Sequence, residues 1–402
     1  MFLAYGTTSA VARHVGAGSP TTAVATGVDG IWLAAGLGVI TGVLVGALAP
    51  GMVALFGASA GASEQATTYL RVSALGIPGM LVVLAVTGVL RGLQDTRAPL
   101  VVSALGFGAN IALNVVLVLG LGLGIAGSAW GTVLAQTGMA AALVWVVVRR
   151  TRGRSVPLRP RPLGVLRAGL DGIPLLVRTL ALRAVLLLTT WVAAGLGETA
   201  LAAHQVAMTV WSLLAFALDA LAIAAQALTG KALGAHDSAG AREMMVTMVR
   251  WGVWCGAVLG LGVVLGRGVI PLAFTEDAAV RAPLAAALLV VGLSTPVSGL
   301  VFVLDGVLIG AGDGRWLAYA QTLVLALYLP VALALRHYCG TPSGEPGQRC
   351  GTTPAAPVTL LWLGFCTFLL SRALLLGWRA RSDAWLITGA QRRNGAPGER
   401  TR

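Results

Sequence analysis

PGMLVVLAVTGVLRGLQDTR (78–97) and PVSGLVFVLDGVLIGAGDGR (296–315) are two versions of one segment, aligned without a gap by the offset that carries Pro78 to Pro296. Eight of the twenty positions are identical, among them Pro78/Pro296, Gly88/Gly306, Gly92/Gly310, Asp95/Asp313 and Arg97/Arg315. Unrelated apolar helices match one another at Leu and Val. They rarely match at Gly, Asp and Arg in a loop without a gap. The same offset pairs Arg13 with Lys231 and Gly16 with Gly234, in RHVGAG and KALGAH. The chain therefore reads as an internal duplication.

Around these segments the 402 residues are 57% hydrophobic and only 11% charged, where a soluble domain carries roughly a quarter charged residues. The apolar residues gather into segments at 1–12, 23–49, 65–90, 99–120, 125–148, 170–195, 200–229, 246–266, 283–309, 316–335 and 358–378. All but the first reach the length that spans a hydrocarbon layer. Backbone groups in that layer must be satisfied within the segment or in a closed barrel. Barrel strands would be half as long and would alternate in polarity, so the class is all-α: a polytopic membrane protein.

The longest polar break, RRTRGRSVPLRPRPLGVLR (149–167), holds seven arginines and no acid. Positive charge marks cytoplasmic loops, so this break is placed inside, with Pro157, Pro160 and Pro162 keeping it extended. Alternation then puts Arg13, Arg91, Arg97, Lys231, Arg242, Arg315 and the basic tail inside as well, and leaves Glu64, Glu198, Glu276, Asp277, Arg281, Arg336 and Arg349 outside. The organisation expected is an N-terminal lobe at 1–148, a basic linker at 149–169, a C-terminal lobe at 170–378 and a basic cytoplasmic tail at 379–402, in the cell membrane. The net charge of +13 belongs to these loops, so no nucleic acid is expected as a partner.

The duplication predicts two six-helix lobes inserted in the same sense and related by an axis along the membrane normal, an arrangement that suits alternating access. It also predicts that the first lobe is incomplete. The counterpart of the helix at 170, taken back by the offset of the repeat, falls ahead of Met1. A misassigned start or a gene fragment is favoured over a half that never had the helix.

Ionisable groups within the hydrocarbon are costly and point to function. They are Asp29, Arg178, Arg183, Asp219 and Asp305, with Asp171 and Asp29 nearer the cytoplasmic ends. Each acid has two readings: a coupling site for an ion gradient, or an ion pair that holds helices, such as Asp219 with Arg178 or Arg183. For Asp29 the structural reading is preferred. Asp219 and Asp305 are the chosen coupling candidates, with Arg178 as their electrostatic partner. Desolvation disfavours the charged carboxylate and a neighbouring arginine favours it, so their separation decides between switch and lock. Asn110 and Asn114, four apart, share a helix face. Together with Gln136, His204, Gln205 and Gln226 they are candidates to line a substrate cleft, although for any one of them interhelical hydrogen bonding is the preferred reading. His14, His236 and His337 read as solvated. Asp95 reads as the cap of the helix that follows it.

Cys339 and Cys350 bracket a polar loop assigned to the outside, where a disulfide can form. Cys255 and Cys366 read as packing residues. No nucleophile–base set, metal-ligand spacing or phosphate-binding lysine loop occurs, so the chain is not read as an enzyme, needs no cofactor or metal, and would take its energy from a proton or sodium gradient.

The stretches AYGTTSAVARHVGAG (4–18), LRGLQDTRAPL (90–100), NIALNVVLVLGLGLGIAGSAWGTVLAQ (110–136), RTLALRA (178–184), AAHQVAMTVWSLLAFALDALAIAAQALTGKALGA (202–235) and GVLIGAGDGR (306–315) resemble the MATE (multidrug and toxic compound extrusion) transporters, in the branch named after DNA-damage-inducible proteins. The resemblance implies two six-helix lobes meeting at a central cleft. It implies export of drugs or metabolites, organic cations or amphiphiles, by a monomer among membrane lipids, coupled to H+ or Na+ entry. It also implies an additional first helix with a functional aspartate, absent here, and often an aspartate where this chain has Asn114. Both departures bear on coupling through the first lobe. A flippase for lipid-linked saccharides, from the related superfamily, and an inactive fragment are the alternatives.

Overall fold

The structure, a computed structural model, describes residues 2–55, 57, 59–151, 158–339, 350 and 355–390. Most of the loop at 337–357, the arginines at 152 and 154, and the tail arginines from 392 onward lie outside the described residues. The chain resolves into two compact units, one of residues 1–173, 234–236 and 389–402, the other of 174–233 and 237–388.

The first unit contains α1 (Phe2–Gly16), α2 (Pro20–Ala54), α3 (Ala60–Ala74), α4 (Ile77–Gly92), α5 (Arg97–Asn114), a π-helical turn (Val115–Gly120) and α6 (Gly124–Thr151). The second is built on α7 (Pro162–Ala194), whose residues up to 173 belong to the first unit, α8 (Glu198–Gly234), α9 (Ser238–Gly266), the short α10 (Ile270–Phe274), α11 (Ala278–Gly310), α12 (Gly314–Cys339) and α13 (Ala356–Arg381). Among the described residues nine helices are long and apolar enough to cross a membrane, or ten if α3 and α4, bent by 43° at their junction, form one span. The remaining apolar segment is α1. Its 15 residues rise about 22 Å, short of the roughly 30 Å hydrocarbon layer.

The helix ends repeat at the offset of the sequence. Gly16 and Gly234 end α1 and α8, Pro20 and Ser238 open α2 and α9, and Ala60 and Ala278 open α3 and α11. Gly92 and Gly310 end α4 and α11. Each pair has the separation of Pro78 from Pro296, so α1 corresponds to the C-terminal part of α8.

Two expectations shift. The linker is shorter than read, because α6 runs through Arg149 and Arg150 and α7 opens at Pro162, ahead of the expected start at 170. Proline is well suited to the first helical position, since its missing N–H has no partner there in any case. Arg13 and His14, expected in a solvated loop, are buried, because α1 continues past residue 12 to Gly16 and packs on α2 and α4.

Lipid offers no hydrophobic drive for one helix to seek another, so close backbone approach has to supply cohesion. The duplicated glycines provide it. A Cβ on Gly88 would lie 2.5 Å from the Ala4 carbonyl oxygen, and one on Gly92 2.9 Å from that of Thr8. Gly306 and Gly310 meet the carbonyl oxygens of Ala222 and Gln226, the repeat counterparts of Ala4 and Thr8, even more closely. The same helix crossing thus occurs once in each unit, α1 on α4 and α8 on α11. The side chains turned away stay exposed and apolar, including Val39, Ile40 and Val43 on α2 and Trp254, Val258 and Leu261 on α9.

The shared Asp of the repeat closes the next turn in both units. Gln94 and Gly312 take positive φ, at 64° and 70°. The following amides, Asp95 and Asp313, donate to the Leu90 and Leu308 carbonyls at 2.8 and 3.0 Å. Asp95 then accepts from the Arg97 and Ala98 amides at 3.0 and 3.1 Å, the expected cap. Its ionic partner is Arg150 at the end of α6, and Asp313 pairs with Arg379 near the end of α13 at 2.7 Å.

Replacing Gly306 by alanine drives a methyl group into the α8 backbone, and overpacking of this kind costs roughly 1–3 kcal/mol. Gly262, inside α9 with nothing within 4 Å, is the control. Thermal unfolding in detergent should show Gly306→Ala clearly destabilised and Gly262→Ala close to wild type. Equal melting of the two would remove close packing as the explanation for the duplicated glycines.

Candidate functional site

Three helices of the second unit bring ionisable groups together inside the apolar region. Arg178 comes from α7, Asp305 from α11 and Arg372 from α13. Arg178 forks onto the carboxylate: its Nε donates to Oδ1 at 3.1 Å and its Nη2 pairs with Oδ2. The Nη2 of Arg372 lies 3.3 Å from the same Oδ2. All three residues are buried, at 6%, 7% and 6% exposure. Each is delivered by a long apolar helix that closes most of its own backbone bonds, with internal prolines at Pro174 in α7 and at Pro283 and Pro296 in α11.

The repeat shows what is particular to this place. The counterpart of Asp305 in the first unit is Thr87, one position before Gly88 as Asp305 is before Gly306, and it is also buried. One unit therefore holds a hydroxyl where the other holds a charge. Arg178 and Asp305 were named from sequence as intramembrane charges, and the structure brings them together. Arg372 was missed. It sits close to the end of the apolar run at 358–378, where a long side chain could snorkel to the interface. A better signal lay in Arg379, which lies seven residues on, on the same face of α13, and takes up the loop acid Asp313.

The other candidates are dispersed. Asp219 is half-buried on α8, and Arg183 is exposed on α7. Asn110 and Asn114 share a face as expected, and the Asn114 amide donates to the Asn110 side-chain oxygen at 3.0 Å and to its carbonyl at 2.9 Å. Asn110 reaches the Thr132 hydroxyl of α6 at 3.4 Å. Asn114 is also the last residue before the π-helical turn, a distortion frequent at functional sites. Gln136 lies on α6 close against α3 and α4, with its amide oxygen near Gly76.

His204 and Gln205 part company on α8. His204 is fully buried, its Nε2 3.3 Å from the Thr190 hydroxyl and its ring 5.7 Å from Trp362, in the aromatic core of the second unit. Gln205 is exposed. Adjacent helix residues diverge by about 100°, so the two do not share one surface. Gln226 is buried, its carbonyl against Gly310.

Asp29 has the partner that a structural role requires. It is buried on α2 and accepts from Nη2 and Nε of Arg161, at 2.5 and 3.1 Å, in the stretch just before α7. Cys339 is joined to Cys350, with Cα atoms 5.3 Å apart. Among the described residues no three His, Cys, Asp or Glu side chains gather as metal ligands.

Comparison with known proteins places this geometry in a family context. The family model MatE matches residues 1–116 and 174–334. Protein DETOXIFICATION 44, chloroplastic, from Arabidopsis thaliana is 32% identical over 331 residues, covering 80% of this chain and 58% of that protein. DNA damage-inducible protein F of Escherichia coli is 28% identical over 402 residues, covering 96% of this chain and 82% of its own length. Among solved structures, a mutant of the Vibrio cholerae MATE transporter VcmN superposes with a TM-score of 0.83 at 18% identity, covering 96% of this chain and 86% of that one. The chain spans 49–58% of the length of four Arabidopsis relatives that it matches.

Removing one partner of a buried pair strands the other charge and costs about 3–5 kcal/mol, whereas replacing the pair by apolar groups is often neutral. Arg178→Met and Asp305→Leu should each lower the melting temperature strongly; the double variant should lose less than the sum of the two singles, and adding Arg372→Met, which removes the last stranded charge, should recover most of the loss. A double variant as unstable as the sum of the two singles would mean that they do not act as a pair.

Proposed function

The chain belongs to the MatE family of multidrug and toxic compound extrusion transporters, and from that premise we propose that it is a secondary active exporter of small organic cations or amphiphiles, working by alternating access and driven by H+ or Na+ entry. The observation that carries the reading is the buried Arg178–Asp305–Arg372 cluster. One carboxylate there answers two guanidinium groups. A proton or cation that takes up its negative charge weakens the hold of Asp305 on both arginines in a medium that solvates charge poorly. Loading Asp305 is then linked to a displacement of α7 or α13 from α11, which makes ion binding a bias on conformation. Asp305 acts as the coupling group, Arg178 as its gate, and Asp219 as the second acid of the same unit. Asn110, Asn114 and Gln136 offer uncharged hydrogen-bonding groups to substrate in the first unit.

The orientation follows from charge. Arg149 and Arg150 end α6, and Arg379 and Arg381 end α13, so both ends, and with them the C-terminus, face the cytoplasm. The lipid-linked saccharide flippase gains no support, since that cargo calls for cations free to meet phosphate, and Arg178 and Arg372 are engaged with Asp305.

The test is transport in proteoliposomes. Wild type, Asp305→Asn and Asp219→Asn are reconstituted and given a pH or sodium gradient with a fluorescent organic cation as cargo. At least one substitution should reduce gradient-driven export tenfold or more while cargo binding stays measurable. Export with unchanged ion dependence in both variants rules the coupling assignment out.

A further inference from the structure

Beside the ion cluster lies a small cavity bounded by Asp305, Gln321, Arg372 and a set of apolar side chains that includes Leu317, Val324 and Leu376. Its volume of about 10 Å³ is room for a single monatomic or water-sized particle. Gln321 on α12 is 4% exposed and Arg372 on α13 is 6% exposed. The Nε2 of Gln321 and the Nε of Arg372 are both fully enclosed, and neither has a hydrogen-bond partner among the described residues. Two enclosed N–H donors, one of them on a guanidinium, thus belong to side chains that line one cavity, and the Asp305 carboxylate beside them answers neither. Leaving such groups unmatched costs the full penalty of their desolvation.

The surroundings narrow what can answer them. The Asp305 oxygens already take Nε and Nη2 of Arg178 and Nη2 of Arg372, three of the roughly four acceptor positions that a carboxylate has. A water molecule accepting from both donors could donate to the remaining Asp305 position, but it brings no charge to Arg372, which shares its carboxylate with Arg178. A monatomic anion has no hydrogens to place, accepts from both donors, and adds negative charge next to an arginine that shares its carboxylate with Arg178. A polyatomic anion exceeds the volume. From this we infer that Arg372 and Gln321 form a buried halide site, with chloride as its ligand, which neutralises Arg372 next to the Asp305 pair.

The inference concerns binding alone and does not require that the chain export anything. It is tested on the purified full chain in detergent, with radioactive chloride for direct binding and with chloride exchanged for gluconate at constant ionic strength for thermal unfolding. Wild type should bind one chloride saturably, with bromide competing, and its melting temperature should rise with chloride to a plateau, as a ligand specific to the folded state requires. Gln321→Glu supplies the negative charge covalently. It should abolish chloride binding and melt independently of chloride. Gln321→Leu removes one donor and should weaken binding at least tenfold, which keeps the test decisive if the glutamate variant does not fold. Identical melting of wild type in chloride and gluconate without saturable binding would assign the cavity to water and overturn the inference. Undiminished binding in Gln321→Glu or Gln321→Leu would place chloride elsewhere and overturn it equally.

Discussion

A helix in hydrocarbon satisfies its own backbone and leaves nothing for its neighbours to satisfy. Lipid chains are as apolar as leucine, so burying a leucine between two such helices gains little over leaving it in lipid. What remains is distance: helices hold each other when their backbones come close enough for dispersion and weak polar contacts to add up. Gly88 and Gly92 on α4, and Gly306 and Gly310 on α11, are where this chain achieves that distance, against carbonyl groups of α1 and α8. The helix boundaries, the crossings and the exposed apolar flanks of both units are consistent with this one constraint.

Packing that tight raises the stakes for any polar group within it. An unanswered charge has no water to turn to, so acids and bases at depth must meet. Asp29 meets Arg161 in the first unit, and Asp305 meets Arg178 and Arg372 in the second. These pairs are not related by the duplication. At the position matching Asp305 the first unit carries Thr87, whose hydroxyl asks for far less. The two units share a scaffold and differ in the charge they enclose.

The membrane boundary imposes a second regularity. At the turn after α4 and again after α11, an aspartate follows a residue with positive φ, donates its amide back to the helix just ended, and pairs with an arginine from the last turns of α6 or α13. Such pairs fasten neighbouring helix ends to one another. They also fix where the basic residues collect, and so carry the charge asymmetry from which orientation is read.

The sequence alone determined the class, the approximate helices, the duplication and the intramembrane charges Arg178 and Asp305, because these rest on local properties: run length, composition, and identity at a fixed offset. Asn110 and Asn114 were legible as one face because helical periodicity is local too. Tertiary structure decided the rest. That Asp305 has two arginines, that Arg161 from the linker closes on Asp29, that His204 and Gln205 turn to different surroundings, and that Gln321 and Arg372 border one cavity all depend on which helix faces which. In a chain made almost wholly of apolar helices, hydropathy is nearly alike on every side, so the pattern that marks an inner face in a soluble protein is faint here. Facing is set by where glycine allows close approach and where charges must meet, and those are relations between residues far apart in the chain.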